Sequence, residues 1–250
     1  MKQQIATGLK SANSFRFFLA FFGLIFSINL TAQPGINIYT ELGENNVSHG
    51  LYVESSAMAH YKFGNNVLET GFQIDLKNNK TVISGYTINA TRDFVVKDVP
   101  FELQGFGTWT DFSEILRETN YGALLKMHRN HFQIAIGTNF RTYSFSRKAV
   151  KDYEIDKSAE SFHEVYNIMY SFSYNLKPVN NPWNIAFEIT DIDYFIINHE
   201  TNPILNLNTS YKLNSNLSFY AEASYKIAGA TNMAVNYFGF FLRTGISWNF

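Results

Sequence analysis

The 250-residue sequence contains no cysteine. That excludes disulfides, thiolate metal sites and a lipidated N-terminal Cys. Proline is scarce, with 5 residues, and charge nearly cancels: 20 Lys and Arg face 21 Asp and Glu, for a net charge of -1. A nucleic-acid partner needs a basic stripe, so this balance argues against one. Beyond the N-terminus there is also no long hydrophobic run. After residue 32 no stretch reaches the roughly 18 apolar residues of a membrane-spanning helix. The 6 His are scattered without ligand spacing, so neither a metal nor any other cofactor is expected.

What the sequence has in excess is aromatic: 24 Phe and 15 Tyr. Aromatic side chains favour strands and membrane interfaces. The N-terminus has a different character. Lys2, Lys10 and Arg16 precede an uncharged apolar run at residues 17–30, and Thr31-Ala32-Gln33 follows with small residues. The run is too short for a transmembrane helix and fits a signal peptide. The expected division is a signal peptide over 1–32, cut after Ala32, and a single domain over 33–250.

From that point the hydrophobic period is two. Phe238, Phe240, Leu242, Thr244, Ile246, Trp248 and Phe250 share one face, opposite Tyr237, Gly239, Phe241, Arg243, Gly245, Ser247 and Asn249. Successive strand side chains point to opposite faces, so one face is apolar and the other mixed and polar. Twelve such segments are predicted, near 36–43, 50–63, 66–77, 81–95, 99–111, 115–128, 131–146, 161–176, 183–197, 203–213, 216–228 and 233–250. Turn residues such as Gly64-Asn65-Asn66 and Asn214-Ser215-Asn216 punctuate them.

Alternation does not say which face is wet. A soluble exported β-protein would turn the apolar face inward. Three features favour a transmembrane barrel with that face outward. Connections alternate between short and long, with the longest at 147–160. Aromatics recur at one end of strand after strand: Tyr61, Phe63, Phe94, Phe101, Phe132, Tyr174, Trp183, Tyr211, Phe219, Trp248. The strand count is even, as in single-chain bacterial barrels. The expected fold is therefore all-β, a single antiparallel transmembrane β-barrel of about twelve strands. Parity then places Glu54, Glu69, Asp75, Glu102, Glu118, Glu188 and Glu222 on the lumen side, with Lys62, Lys126, Arg141, Lys212, Lys226 and Arg243. Such groups either pair and plug the lumen or line a narrow wet pore.

The segment Gly245-Ile246-Ser247-Trp248-Asn249-Phe250 resembles the C-terminal strand of Gram-negative outer-membrane β-barrel proteins. The resemblance implies an outer-membrane location, a lipid surround, and recognition of Trp248 and Phe250 by the barrel-assembly machinery. It implies a porin-like function, a structural or small-solute channel protein, without naming the solute.

Two weaker patterns suggest chemistry. His199-Glu200-Thr201 is similar to the His-x-Ser motif of the outer-membrane phospholipase and lipid A deacylase families, with Thr in place of Ser. A hydroxyl beside a His base is the minimal activated nucleophile. Asp191 and Asp193 with His199 resemble the Asp pairs and Asp-His pair of omptin-type proteases. Parity puts both Asp residues on the apolar face of the ninth strand, beside Trp183, Ile185, Phe187 and Ile189, so either they lie above the bilayer or a bulge turns them inward. The plainer reading of both patterns is a polar extracellular loop and strand extension. A hydrolase acting on lipid or peptide at the extracellular rim is the second functional expectation.

Overall fold

Along several strands buried polar side chains alternate with exposed apolar ones, the inverse of a soluble protein. The computed structural model describes residues 32–45, 50–76, 85–111, 115–156, 161–176, 182–192, 203–227 and 239–250. Within these lie β1 (Ala32–Asn45), β2 (Gly50–Phe63), β3 (Asn66–Asp75), β4 (Gly85–Val96), β5 (Val99–Asp111) and β6 (Leu116–Arg129). They continue as β7 (Phe132–Phe145), β8 (Ser161–Leu176), β9 (Trp183–Thr190), β10 (Ile204–Lys212), β11 (Leu217–Lys226) and β12 (Gly239–Asn249). Each pairs antiparallel with its sequence neighbours, and β1 pairs with β12 from Gly35↔Asn249 to Gly43↔Phe241. The barrel is closed, so no edge of the described sheet lacks a partner.

The period-two pattern is what builds this wall. On β12, Phe241 and Arg243 are buried while Phe240 and Leu242 are exposed. On β7, Ala135, Asn139 and Arg141 are buried while Phe132, Ile134 and Ile136 are exposed. The soluble alternative, with the apolar face inward, is thus reversed in the structure. Ile136 is 61% and Ile168 is 71% exposed, a surface that requires an apolar surround rather than water.

Walking the paired registers once around the barrel returns to β1 displaced by about 14 residues. With roughly 3.3 Å per residue and 4.8 Å between strands, that stagger means a tilt of about 40° and a backbone radius of about 12 Å. The tilt matches that of membrane barrels.

Short turns sit at one end. Lys97 and Asp98 both adopt positive φ, 48° and 65°, as a two-residue hairpin of matching twist requires. Asn214 Oδ1 accepts from the N–H of Asn216 (2.8 Å) and Leu217 (2.9 Å), closing the β10–β11 turn. The aromatics meet in pairs at this end: Phe94 stacks on Phe101 at 5.7 Å, while Phe132 with Tyr174 at 5.1 Å and Trp183 with Tyr211 at 4.8 Å are tilted. At the opposite end, the connection after β7 begins with a short helix, α1 (Arg147–Asp152), rather than an irregular loop. Ser146 Oγ caps it by accepting from Ala149 N–H at 3.1 Å, and Ala149 is buried.

Several strand limits differ from expectation. β1 runs longer than 36–43 because its ladder with β2 continues to Ala32↔Phe63 and Asn45↔Gly50. β9 ends at Thr190 rather than at 197. The expected extensions at 81–84 and 233–238 lie outside the described residues.

Candidate functional site in the barrel interior

Three carboxylate systems line the interior face, each built from strand neighbours. The first sits where the barrel closes. Glu41 on β1, Arg243 on β12 and Glu222 on β11 are direct cross-strand partners. Arg243 donates from Nε to Glu41 Oε2 at 2.9 Å and from Nη1 to Glu222 Oε1 at 2.7 Å. Tyr52 donates to Glu41, and Ser224 to Glu222 at 3.2 Å. Arg243 and Glu41 are each only 4% exposed. Burial this deep demands charge pairing, and the guanidinium fork supplies it to two strands at once.

The second system lies toward the end that carries α1. Glu118 on β6 and Arg141 on β7 are each 1% exposed, with Arg141 Nε 3.5 Å from Glu118 Oε1. Arg141 Nη1 donates to Tyr143 Oη at 3.3 Å. Asn139 Nδ2 donates to Asn120 Oδ1 at 2.9 Å beside them. Toward the short-turn end, Lys126 meets Glu102 at 2.7 Å.

The third is a set of carboxylates held by neutral groups. Glu69 on β3 accepts from Asn37 Nδ2 at 2.8 Å and Asn89 Nδ2 at 3.1 Å. Glu188 on β9 accepts from Ser171 Oγ at 2.5 Å, Asn206 Nδ2 at 3.2 Å and Asn208 Nδ2 at 3.3 Å. Glu54 belongs with the seam instead: it is the cross-strand partner of Glu41 and accepts from Gln73 Nε2. Lys226 on β11 is 3% exposed.

One side of the interior is apolar instead. Phe106, Leu124, Met169 and Ile192 form a buried cluster. Ile192 corrects the expectation that the ninth strand carries Asp191 onward along its apolar face. The chain leaves the sheet at Thr190. Asp191 Oδ1 then accepts the Tyr170 N–H of β8 at 2.7 Å, and Thr190 Oγ1 donates to Tyr170 O at 3.0 Å and accepts from Ile192 N at 2.9 Å. Asp191 is 4% exposed and caps the neighbouring strand's backbone. A buried N–H facing an apolar surround needs such a partner. Asp193, His199 and Thr201 lie outside the described residues.

Sequence reasoning missed Glu41 and Tyr52. The signal was present: Glu41 shares parity with Asn37 and opposes Ile38 and Leu42. Tyr52 gave none, because an aromatic on a polar face has no period-two signature. Trp248 and Phe250 lie on the outer surface, 48% and 61% exposed, with ring centroids 4.7 Å apart.

No family model and no curated protein matches the chain. Among solved structures, the KdgM porin is similar at 12% identity and a TM-score of 0.52, over 86% of this chain and 99% of that one. An outer-membrane channel from Pseudomonas putida F1 is similar at 10% identity and a TM-score of 0.50, over 90% of this chain and 97% of that one. The likeness is one of fold: this is the architecture of the outer-membrane β-barrel proteins.

Proposed function

We propose that the chain is an integral outer-membrane β-barrel, exported by a signal peptide over residues 1–32, whose interior passes small polar solutes. One observation carries this reading: the ionisable groups Glu41, Glu118, Arg141, Glu188, Glu222 and Arg243 line the inside of a closed sheet whose outside is apolar. In lipid, charge belongs on the lumen side and apolar side chains on the other. The wall radius supports a passage. Side chains reaching roughly 6 Å inward from a backbone radius of about 12 Å leave an opening of similar size beside short residues. Asn206 and Asn208 are such short residues, half-buried on one sector of the wall. Trp248 and Phe250 belong to the segment the assembly machinery reads. The hydrolase alternative draws no support from Asp191, whose carboxylate is occupied by Tyr170 N–H.

The test has two arms. Outer-membrane fractions washed in alkaline carbonate should retain the protein, and its release would reject the membrane reading. Purified protein in planar bilayers should give discrete conductance steps. Silent bilayers containing folded protein would reject the passage and leave a plugged barrel.

A further inference from the structure

Three cations of the described interior are committed to carboxylates: Arg243 to Glu41 and Glu222, Arg141 to Glu118, Lys126 to Glu102. Glu69 and Glu188 differ. Their partners among the described residues are amide and hydroxyl donors alone. Neutral donors orient and stabilise a carboxylate without cancelling its charge. Each of the two is flanked by an amide that gives its N–H to the carboxylate and leaves its own oxygen without a donor. These are Asn89 Oδ1 beside Glu69, in a side chain only 9% exposed, and Asn206 Oδ1 beside Glu188. Two oxygen-rich, donor-poor positions result.

Their placement makes them act together. Glu69 is on β3 and Glu188 on β9, half the ring apart in a closed order of twelve strands. Following the ladders from Glu69 in one direction reaches β9 about six residues past Glu188, and in the other direction about eight residues short of it. The two walks climb in opposite senses, so the carboxylates lie within about one residue of the same height, on opposite sides of the barrel.

We infer that the passage is cation-selective, with Glu69 and Glu188 as two facing negative charges that favour small inorganic and organic cations over anions. The inference rests on the channel reading above. Opposed charges of one sign in a narrow polar lumen raise the local concentration of counter-ions and set a barrier to co-ions. At roughly 10 Å in a water-like medium each unit charge contributes a few tenths of a kcal/mol, so two together bias cation over anion severalfold. The amides matter because they fix the carboxylates in place without bringing a positive charge, where a lysine partner would erase the effect.

Reversal potentials of the wild-type protein in planar bilayers under a KCl gradient test this directly. The expected result is cation preference in the wild type. Glu69→Gln and Glu188→Gln should each lower the potassium-to-chloride permeability ratio. The double variant should lower it by about threefold or more while keeping single-channel steps and heat-modifiable migration. Gln preserves size and hydrogen bonding, so folding should survive. If a variant does not fold, the wild-type measurement still decides, because anion preference or no preference there overturns the inference. Unchanged selectivity in the folded double variant overturns it equally. An absence of any conductance is a different failure, which removes the channel reading itself.

Discussion

Arg243 and Glu41 are separated by 202 residues in sequence and joined by two hydrogen bonds across the line where the barrel closes. Glu222 takes the remaining side of the same guanidinium, so three strands share one cation. Removing Arg243 leaves a buried carboxylate, Glu41, and a half-buried one, Glu222, facing each other without their shared cation. Arg243→Ala is therefore expected to destabilise the folded barrel by about 3–5 kcal/mol. Glu41→Gln, which keeps one neutral partner for Arg243 and Tyr52, should cost less. Urea unfolding from lipid vesicles, followed by tryptophan fluorescence, measures both. Equal stability of Arg243→Ala and wild type would refute the assignment of this cluster as a structural clasp.

Beside that clasp Gly245 holds the two tyrosines of the seam apart from its own backbone by nothing but a hydrogen. Tyr39 on β1 and Tyr220 on β11 meet edge to face at 4.8 Å over it. A Cβ at Gly245 would lie 2.4 Å from Ile38 O, 2.6 Å from Tyr220 Cε1 and 2.7 Å from Tyr39 Cδ1. Since the nearest atom is backbone, it cannot swing away. Gly245→Ala should cost about 1–3 kcal/mol by overpacking. The same unfolding measurement applies, and a neutral result would mean the rings part at little cost.

Asp191 offers a prediction about backbone rather than charge. Its carboxylate is an acceptor for Tyr170 N–H where β9 has ended. Asp191→Ala should cost about 1–3 kcal/mol because the donor is left without a partner. Asp191→Asn, which keeps an acceptor oxygen, should recover most of that loss. A fully stable Asp191→Ala protein would show that another group, or water, already serves the N–H.

The aromatic end of β12 should matter for insertion. Trp248 is the cross-strand partner of Ile36 and of Leu217, and Phe250 N–H donates to Pro34 O at 2.9 Å. Trp248→Asp with Phe250→Asp would put two carboxylates at the apolar surface of the closing ladder. Loss of heat-modifiable, protease-resistant protein from outer membranes is the expected outcome. Normal amounts of the folded form would place the insertion signal elsewhere.

The strands were legible in the sequence wherever inward and outward residues contrasted strongly, as on β7 and β12. There, isoleucine, leucine and phenylalanine alternate with asparagine and arginine. Glu41 was obscured by its neighbours, since Tyr39 and Gly43 on the same face carry no polar signature. Parity alone could not choose between an Asp191 above the bilayer and one turned inward. Parity continues along a sequence after the chain has left the sheet, and nothing local announces that a side chain will take over a hydrogen bond from the missing strand. The division of the interior into paired and amide-held carboxylates could not be read at all. It depends on which strands are neighbours and on a stagger that only closure determines.

The pairing of β1 with β12 also constrains how the protein comes into being. Every other ladder joins strands adjacent in sequence and can form as soon as its hairpin exists. The closing ladder brings together residues about two hundred apart, and the entropy of that encounter is lost before any bond rewards it. Until it forms, two rows of backbone amides stand open, and hydrocarbon cannot accommodate them. A half-built wall therefore has no stable place in the bilayer. Closing that last ladder is therefore the step on which a stable wall in hydrocarbon depends.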